Sequence, residues 1–285
     1  MKHLLYIGLF ISALTSCRKD KVAQPDNQIP EQNYKNVSYG SDPAQVMDIY
    51  LPKGRNRDST WLVVMVHGGA WSSGDKSDFT QYISDIQHRL KQCAVANINY
   101  RLATPLTNHF PIQEKDMKAA VDFLVSKSED YQYSQKIILL GASSGGHQVT
   151  LQAYKYASPK ISAVIDFFAP VDMVALYNAA PLASAGRQAI QLLVGGTPAN
   201  NPAIYEASSP IHFVNAASPP TIILHGGMDQ TVNISQSVAL KNKLDSVGVA
   251  NQLLIYPNEG HNVWPDAIMN EAFSKIEAFV KANVH

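Results

Sequence analysis

The chain has 285 residues, 46% of them hydrophobic, and its 23 Lys plus Arg balance 23 Asp plus Glu. That size suits one large domain or two small ones, and an ordinary apolar fraction with only 16% charged residues excludes intrinsic disorder. Two cysteines and scattered Gly and Pro exclude a disulfide-rich miniprotein and collagen, and a zero formal charge provides no basic field for nucleic acid.

Met1-Lys2-His3 is a short basic start, followed by an apolar run from Leu4 to Leu14 broken only by Gly8 and Ser12. A spanning helix needs about 20 apolar residues, so this run is too short to cross a bilayer and reads as a signal-peptide core. It ends in Leu14-Thr15-Ser16-Cys17, which resembles a bacterial lipobox. The resemblance implies a lipoprotein signal peptide over 1–16, lipidation of Cys17 and a membrane anchor at the bacterial cell envelope, on the periplasmic side or the cell surface. An ordinary secretory signal with an unmodified cysteine is the alternative. Residues 17–33 are polar, contain Pro25 and Pro30 and show no apolar period, the profile of a flexible tether. One folded domain is expected over 34–285, with Cys93 as a packed core thiol.

Within that domain a weak strand at Asn36 to Tyr39 precedes Val46 to Leu51, which alternates apolar and polar residues and stops at Pro52. Trp61 to Val66 is apolar throughout, as a strand covered on both faces should be. Further strands are predicted at Ala94 to Tyr100, Lys136 to Leu140, Ile161 to Phe168, Thr221 to Leu224 and Asn251 to Tyr256. Helical patterns fill the gaps at Phe79 to Lys91, Gln113 to Ser126, His147 to Tyr156, Ile234 to Val247 and Ala267 to Ala282. The alternation predicts an α/β fold, an eight-stranded mostly parallel sheet with helices on both faces and an antiparallel first pair. Residues 172–210 form a long insertion, a candidate small lid with little apolar bulk that leaves the site fairly open.

The strand ending at Leu140 runs into Gly141-Ala142-Ser143-Ser144-Gly145-Gly146 and then into a helix. Read as G-x-S-x-G, this is a tight strand-to-helix turn that lifts the Ser143 hydroxyl above the sheet and aims a helix N-terminus at the reacting carbon. Choosing Ser144 instead would lose the first glycine of the pattern. A serine needs a base and an orienter for it. Among nine histidines, His261 in Glu259-Gly260-His261 follows the last strand and is the candidate base. Asp229, after the preceding strand, is the candidate acid, with Glu259 as the alternative. His225 is expected to brace its loop, and His147 to pack or hydrogen bond. No histidine pair has metal-site spacing, so a bound metal such as zinc is not expected. His67-Gly68-Gly69-Ala70-Trp71 follows a buried strand, where backbone donors for an oxyanion belong; the candidates are the N–H groups of Gly69, Ala70 and Ser144.

With these motifs in place, the domain resembles the α/β-hydrolase fold, and within it carboxylesterases and lipases with an HGG-x-W oxyanion loop, close to bacterial feruloyl and acetyl esterases. Further matching stretches are Asp48-Ile49-Tyr50-Leu51-Pro52, Tyr100-Arg101-Leu102-Ala103, Phe110-Pro111 with Asp116, Ala207-Ser208-Ser209-Pro210 and HGGMD at 225–229. Ala70 replaces the third glycine of the lipase loop, and Ser144 stands where many relatives carry alanine; both keep their N–H. The resemblance implies cofactor-free hydrolysis of small acyl or carbohydrate-linked esters through an acyl-enzyme, with a small-molecule or polysaccharide ester as partner. A serine peptidase or amidase of this fold, or an idle binding protein, are the other readings. Trp71 and Trp264 are candidates to wall a substrate pocket, with core packing as the alternative, and Arg101 is expected in a structural ion pair. Sequence leaves the oligomeric state open.

Overall fold

The computed structural model describes residues 28–90, 93–180 and 184–284. The expected signal peptide over 1–16 and the expected lipidation site at Cys17 lie outside them. The chain runs β1 (Gln32–Ser38), β2 (Val46–Leu51), β3 (Leu62–Val66), a 3-10 turn (Lys76–Tyr82), α1 (Ile83–Arg89), β4 (Ala94–Ile98), α2 (Ile112–Ser126), α3 (Ser128–Tyr131), β5 (Ile137–Ala142) and α4 (Ser144–Lys155). It continues through β6 (Ile161–Phe167), α5 (Met173–Ala179), α6 (Ala185–Val194), α7 (Pro202–Ala207), a 3-10 turn (Pro210–Phe213), β7 (Thr221–Gly226), α8 (Ser235–Ser246), β8 (Asn251–Tyr256) and α9 (Asp266–Asn283).

The eight strands form one sheet in the order β1-β2-β4-β3-β5-β6-β7-β8. β2 pairs antiparallel with both β1 and β4, and every later pairing is parallel. Parallel neighbours require crossovers, so helices cover both faces and central strands must be apolar on both sides. β3 shows this residue by residue. Leu62, Val64 and Val66 pack with Val121, Val149 and Leu240 from α2, α4 and α8, while Val63 and Met65 face Ile86 and Phe273 from α1 and α9. Fully burying such side chains stabilises the fold by roughly 1.5–3 kcal/mol each. Cys93 sits in the second of these layers, fully buried, and burial pushes its thiol up to about 12.

Three expectations need correction. The predicted tether reaches too far: β1 begins at Gln32, Gly54 donates its N–H to the Ile29 carbonyl at 2.8 Å, and the Arg55 guanidinium binds the Pro30 carbonyl and the Gln32 side chain. The helix predicted from Phe79 is two elements, because Asp75 starts a 3-10 turn three residues earlier. Its carboxylate accepts from Ser77 N–H at 2.8 Å, and Asp78 reciprocates toward Asp75 N–H at 3.1 Å, a capping box. The insertion, expected to carry little apolar bulk, contains α5, α6 and α7 around a cluster of its own: Met173, Leu176, Ile190, Leu193 and Tyr205 close on Trp71 and Leu151. Among the described residues no helix is long and apolar enough to cross a membrane.

Candidate active site

β5 passes into α4 through a single residue, Ser143, held at φ 55° and ψ −123°, outside the regions ordinarily open to L-residues. Two contacts hold it there. Ser143 N–H donates to the Phe167 carbonyl at 2.9 Å. Gly145 lets α4 press onto the end of β3, since a β-carbon there would stand 2.1 Å from the Val66 carbonyl oxygen. The hydroxyl is thereby left at the C-terminal edge of the sheet, where loops from other strands can reach it.

Two of them do. The loop after β8 brings His261 Nε2 to 2.8 Å from Ser143 Oγ, and the loop after β7 brings Asp229 Oδ2 to 2.7 Å from His261 Nδ1. A carboxylate only accepts, so Nδ1 carries the proton and Nε2 offers its lone pair to the serine hydroxyl. The Asp229 side chain is fully buried and that of His261 is 15% exposed. Burial pushes the Asp229 carboxyl upward, but hydrogen bonds from His225 and His261, with the Val232 N–H, hold it well below the usual carboxylate range. Its Oδ1 accepts from the Thr231 and Val232 N–H groups at 2.8 and 2.9 Å, which fixes Oδ2 toward the imidazole. Glu259 contributes only main chain here, its carbonyl accepting from Met228 N–H at 2.8 Å.

His225 braces the same loop. Its Nε2–H donates to the Val232 carbonyl at 2.9 Å, so Nδ1 accepts from the Ser237 hydroxyl at 2.6 Å. His147 lies in α4, buried between Trp71 and the Ser208 carbonyl, and burial lowers its pKa to about 4. Arg101 forms the expected ion pair, its guanidinium and its N–H both engaging Asp116.

The loop after β3 supplies the other side. Gly69 has φ 109°, and Ala70 and Trp71 follow at 51° and 59°. The Gly69 carbonyl turns inward to accept from Ser72 and Ser73 N–H, whereas the N–H groups of Gly69 and Ala70 find no acceptor among the described residues. Gly68 lies against the turn at Ser143: a β-carbon on it would stand 3.3 Å from Ser143 Cβ. The Ser144 N–H opens α4 and has no preceding helical turn to bond to.

Two residues of this region escaped the sequence reading of the site. Tyr100 stacks on His67 at 4.6 Å, and its hydroxyl reaches both the His67 carbonyl and Ser144 Oγ, at 3.3 and 3.4 Å. Phe168, at φ 45°, holds its ring 4.6 Å from that of His261. Tyr100 was visible only as part of a motif and Phe168 only as the end of an apolar run.

Cavities flank Ser143 on both sides. One of about 440 Å³ reaches toward α1 and α9 and is lined by Leu140, Phe167, Phe168, Trp264 and Phe273 as well as Ser143 and His261. The other, about 40 Å³, lies under α5 and α6 against Ala70, Trp71 and Pro170. Trp264 lines the larger of these spaces and Trp71 the smaller, and both are also buried in packing. Among the described residues no group of His, Cys, Asp and Glu has the arrangement of a metal site.

The fold is that of the α/β hydrolases, with a serine, a histidine and an aspartate converging at the strand ends. The sequence profile of the BD-FAE family matches residues 47–244, and the chain belongs to that family. Esterase LipC of Mycobacterium tuberculosis (strain ATCC 25618 / H37Rv) is 24% identical over 241 residues, 80% of this chain and 59% of LipC. Dipeptidyl-peptidase 5 of Schizosaccharomyces pombe (strain 972 / ATCC 24843) is 28% identical over 148 residues, 52% of this chain and 21% of that protein. The chain therefore spans little more than half of one of these curated relatives and about a fifth of the other. The solved structure of a truncated carbohydrate esterase from gut microbiota is similar with a TM-score of 0.76 at 26% identity, over 88% of this chain and 96% of that one.

Proposed function

We propose that this protein is a serine carboxylesterase that hydrolyses small acyl or carbohydrate-linked esters, acetyl and feruloyl esters among them. The observation that carries the reading is the continuous line from Asp229 Oδ2 through His261 to Ser143 Oγ, at 2.7 and 2.8 Å. Ser143 attacks the ester carbonyl as His261 Nε2 takes its proton, and the negative oxygen turns to the N–H groups of Gly69, Ala70 and Ser144. His261 then protonates the leaving alkoxide, and the alcohol departs from an acyl-Ser143. Water, deprotonated by the same imidazole, releases the acid. Asp229 keeps the imidazole in the required tautomer and stabilises its cation. This chemistry draws on no cofactor.

Membership of the BD-FAE family and likeness to a carbohydrate esterase support the substrate class. Amide cleavage is the second reading, supported by the shorter match to a dipeptidyl-peptidase. Turnover of short nitrophenyl esters, a feruloyl sugar and acetylated xylan, against a peptide amide, separates the two. Ser143→Ala is expected to lower kcat by about 10⁵ to 10⁶. Preserved turnover in that variant defeats the nucleophile assignment, and amide cleavage outpacing ester cleavage promotes the second reading.

We also propose an acyl anchor at Cys17, supported by the sequence Leu14-Thr15-Ser16-Cys17. Each buried methylene adds about 0.8 kcal/mol of membrane affinity, so more than one chain would hold the protein at the envelope. Cys17→Ser is expected to leave the membrane fraction; unchanged fractionation rejects the anchor.

A further inference from the structure

The larger cavity beside Ser143 is walled almost throughout by aromatic and aliphatic side chains. Apart from Ser143 and His261, the polar side chains on its wall are Asp78, Tyr82 and Asn262, and Asp78 alone among them bears a charge. Asp78 projects from the first turn of Lys76–Tyr82, where one carboxylate oxygen, Oδ2, accepts from Asp75 N–H at 3.1 Å. The other oxygen has no donor, and the carboxylate has no ion-pair partner among the described residues; Lys76 next to it is drawn to Asp48 instead, at 3.2 Å. The side chain cannot leave the wall without giving up the capping box. A fixed, unneutralised negative charge therefore stands at the rim of an apolar space that opens onto the reacting centre.

Such a charge selects by what the substrate carries at its far end. A carboxylate accepts hydrogen bonds and donates none, so a hydroxyl or ammonium group is favoured beside it and a second carboxylate is repelled. Low-dielectric walls strengthen the effect relative to bulk water, and the exposure of Asp78 keeps it moderate. We propose that Asp78 sets the charge selectivity of this cavity, favouring ester substrates whose apolar or aromatic half ends in a hydrogen-bond donor and disfavouring those ending in a carboxylate. The proposal rests on the esterase reading above and adds a specificity-determining residue to it.

The test uses two series of esters, each unsubstituted, 4-hydroxy and 4-carboxy: methyl 3-phenylpropanoates, which carry the ring on the acyl half, and phenyl acetates, which carry it on the alcohol half. In the series whose ring enters the cavity, kcat/KM is expected to fall about tenfold from 4-hydroxy to 4-carboxy. Asp78→Asn keeps an oxygen for Asp75 N–H, and it is expected to raise the ratio of 4-carboxy to unsubstituted turnover three- to tenfold. In the wild type, raising the salt from 20 mM to about 500 mM should shrink the carboxylate penalty, because exposed charges are screened. A 4-carboxy penalty that is the same in Asp78→Asn as in the wild type, or that ignores salt, overturns the proposal. Failure of both unsubstituted esters to turn over would instead remove the esterase reading, and the proposal with it.

Discussion

The Trp71 indole N–H donates to His147 Nδ1 across 3.1 Å, joining the loop after β3 to the helix that follows Ser143. His147 can accept only because its other nitrogen donates to the Ser208 carbonyl at 2.7 Å and burial keeps the ring neutral. The bond thus pins a backbone stretch held at positive φ to the helix that starts directly after Ser143. Trp71→Phe keeps an aromatic ring but strands a buried acceptor. It should destabilise the fold by about 1–3 kcal/mol and lower kcat more than it changes KM, since the Gly69 and Ala70 donors are free to drift. Urea unfolding alongside ester kinetics checks both parts; lost stability with unchanged kcat would reduce the bond to a structural role.

Asp229→Asn should be more damaging to rate than to folding. The Thr231 and Val232 N–H groups require an oxygen at the Oδ1 position, so the amide nitrogen must occupy the place of Oδ2 and point at His261. Nδ1 then becomes an acceptor, the proton moves to Nε2, and the ring can no longer receive the Ser143 proton. A loss of about 10⁴ in kcat is expected from this tautomer reversal. Stopped or slow ester turnover by the purified variant measures it, and a loss below tenfold would mean that Asp229 does not orient the base.

Gly145 and Gly186 make a paired test of close packing. A β-carbon at Gly145 would meet the Val66 and His67 carbonyl oxygens at 2.1 and 2.5 Å, and both belong to main chain that cannot step aside. Gly145→Ala is expected to misfold or to lose several kcal/mol. At Gly186 in α6 a β-carbon finds only Ser184 Oγ, at 4.0 Å, so Gly186→Ala should gain roughly 0.5–1 kcal/mol of helix stability. Thermal melts of the two variants decide; equal effects would mean that α4 is not seated on β3 as described.

Legibility followed the range of the interaction. β8 was readable to the residue, because Asn251–Tyr256 is a short β-rich run just after Gly248, and the turn at Ser143 announces itself through small residues forced by local sterics. The order of Ser143, Asp229 and His261 was visible because each follows a strand. The helices of the insertion were not. Met173 and Leu176 become core only when Trp71 and Leu151, distant in sequence, arrive to cover them. Arg55 likewise recruits Pro30 and Gln32 into the domain through contacts that no local pattern encodes. Tyr100 and Phe168 look like ordinary ends of apolar runs until the sheet aligns them beside His67 and His261.

Asp166 predicts how stability responds to pH. It lies on β6, fully buried, with Oδ1 accepting from Ala169 N–H at 2.8 Å and Oδ2 without a partner. Burial pushes its carboxyl up to about 7 from an ordinary 3.8, outweighing the Ala169 hydrogen bond and the nearby His225. The unfolded chain releases this proton near the lower value and the folded chain only near the upper one. Between them the native state binds the extra proton, so this group's contribution is fully present below the lower value and is lost as pH rises toward 7, at about 1.4 kcal/mol per pH unit. Asp166→Asn cannot titrate, and its oxygen can still accept from Ala169. Its amide leaves a buried donor unmatched, a penalty that does not vary with pH, whereas ionising groups that are not coupled to Asp166 act alike in both proteins. Urea unfolding at pH 5, 6, 7 and 8 should therefore show the variant gaining on the wild type as pH rises, with the change levelling off above about 7. Two curves that run parallel across this range would show that Asp166 is already ionised in the fold.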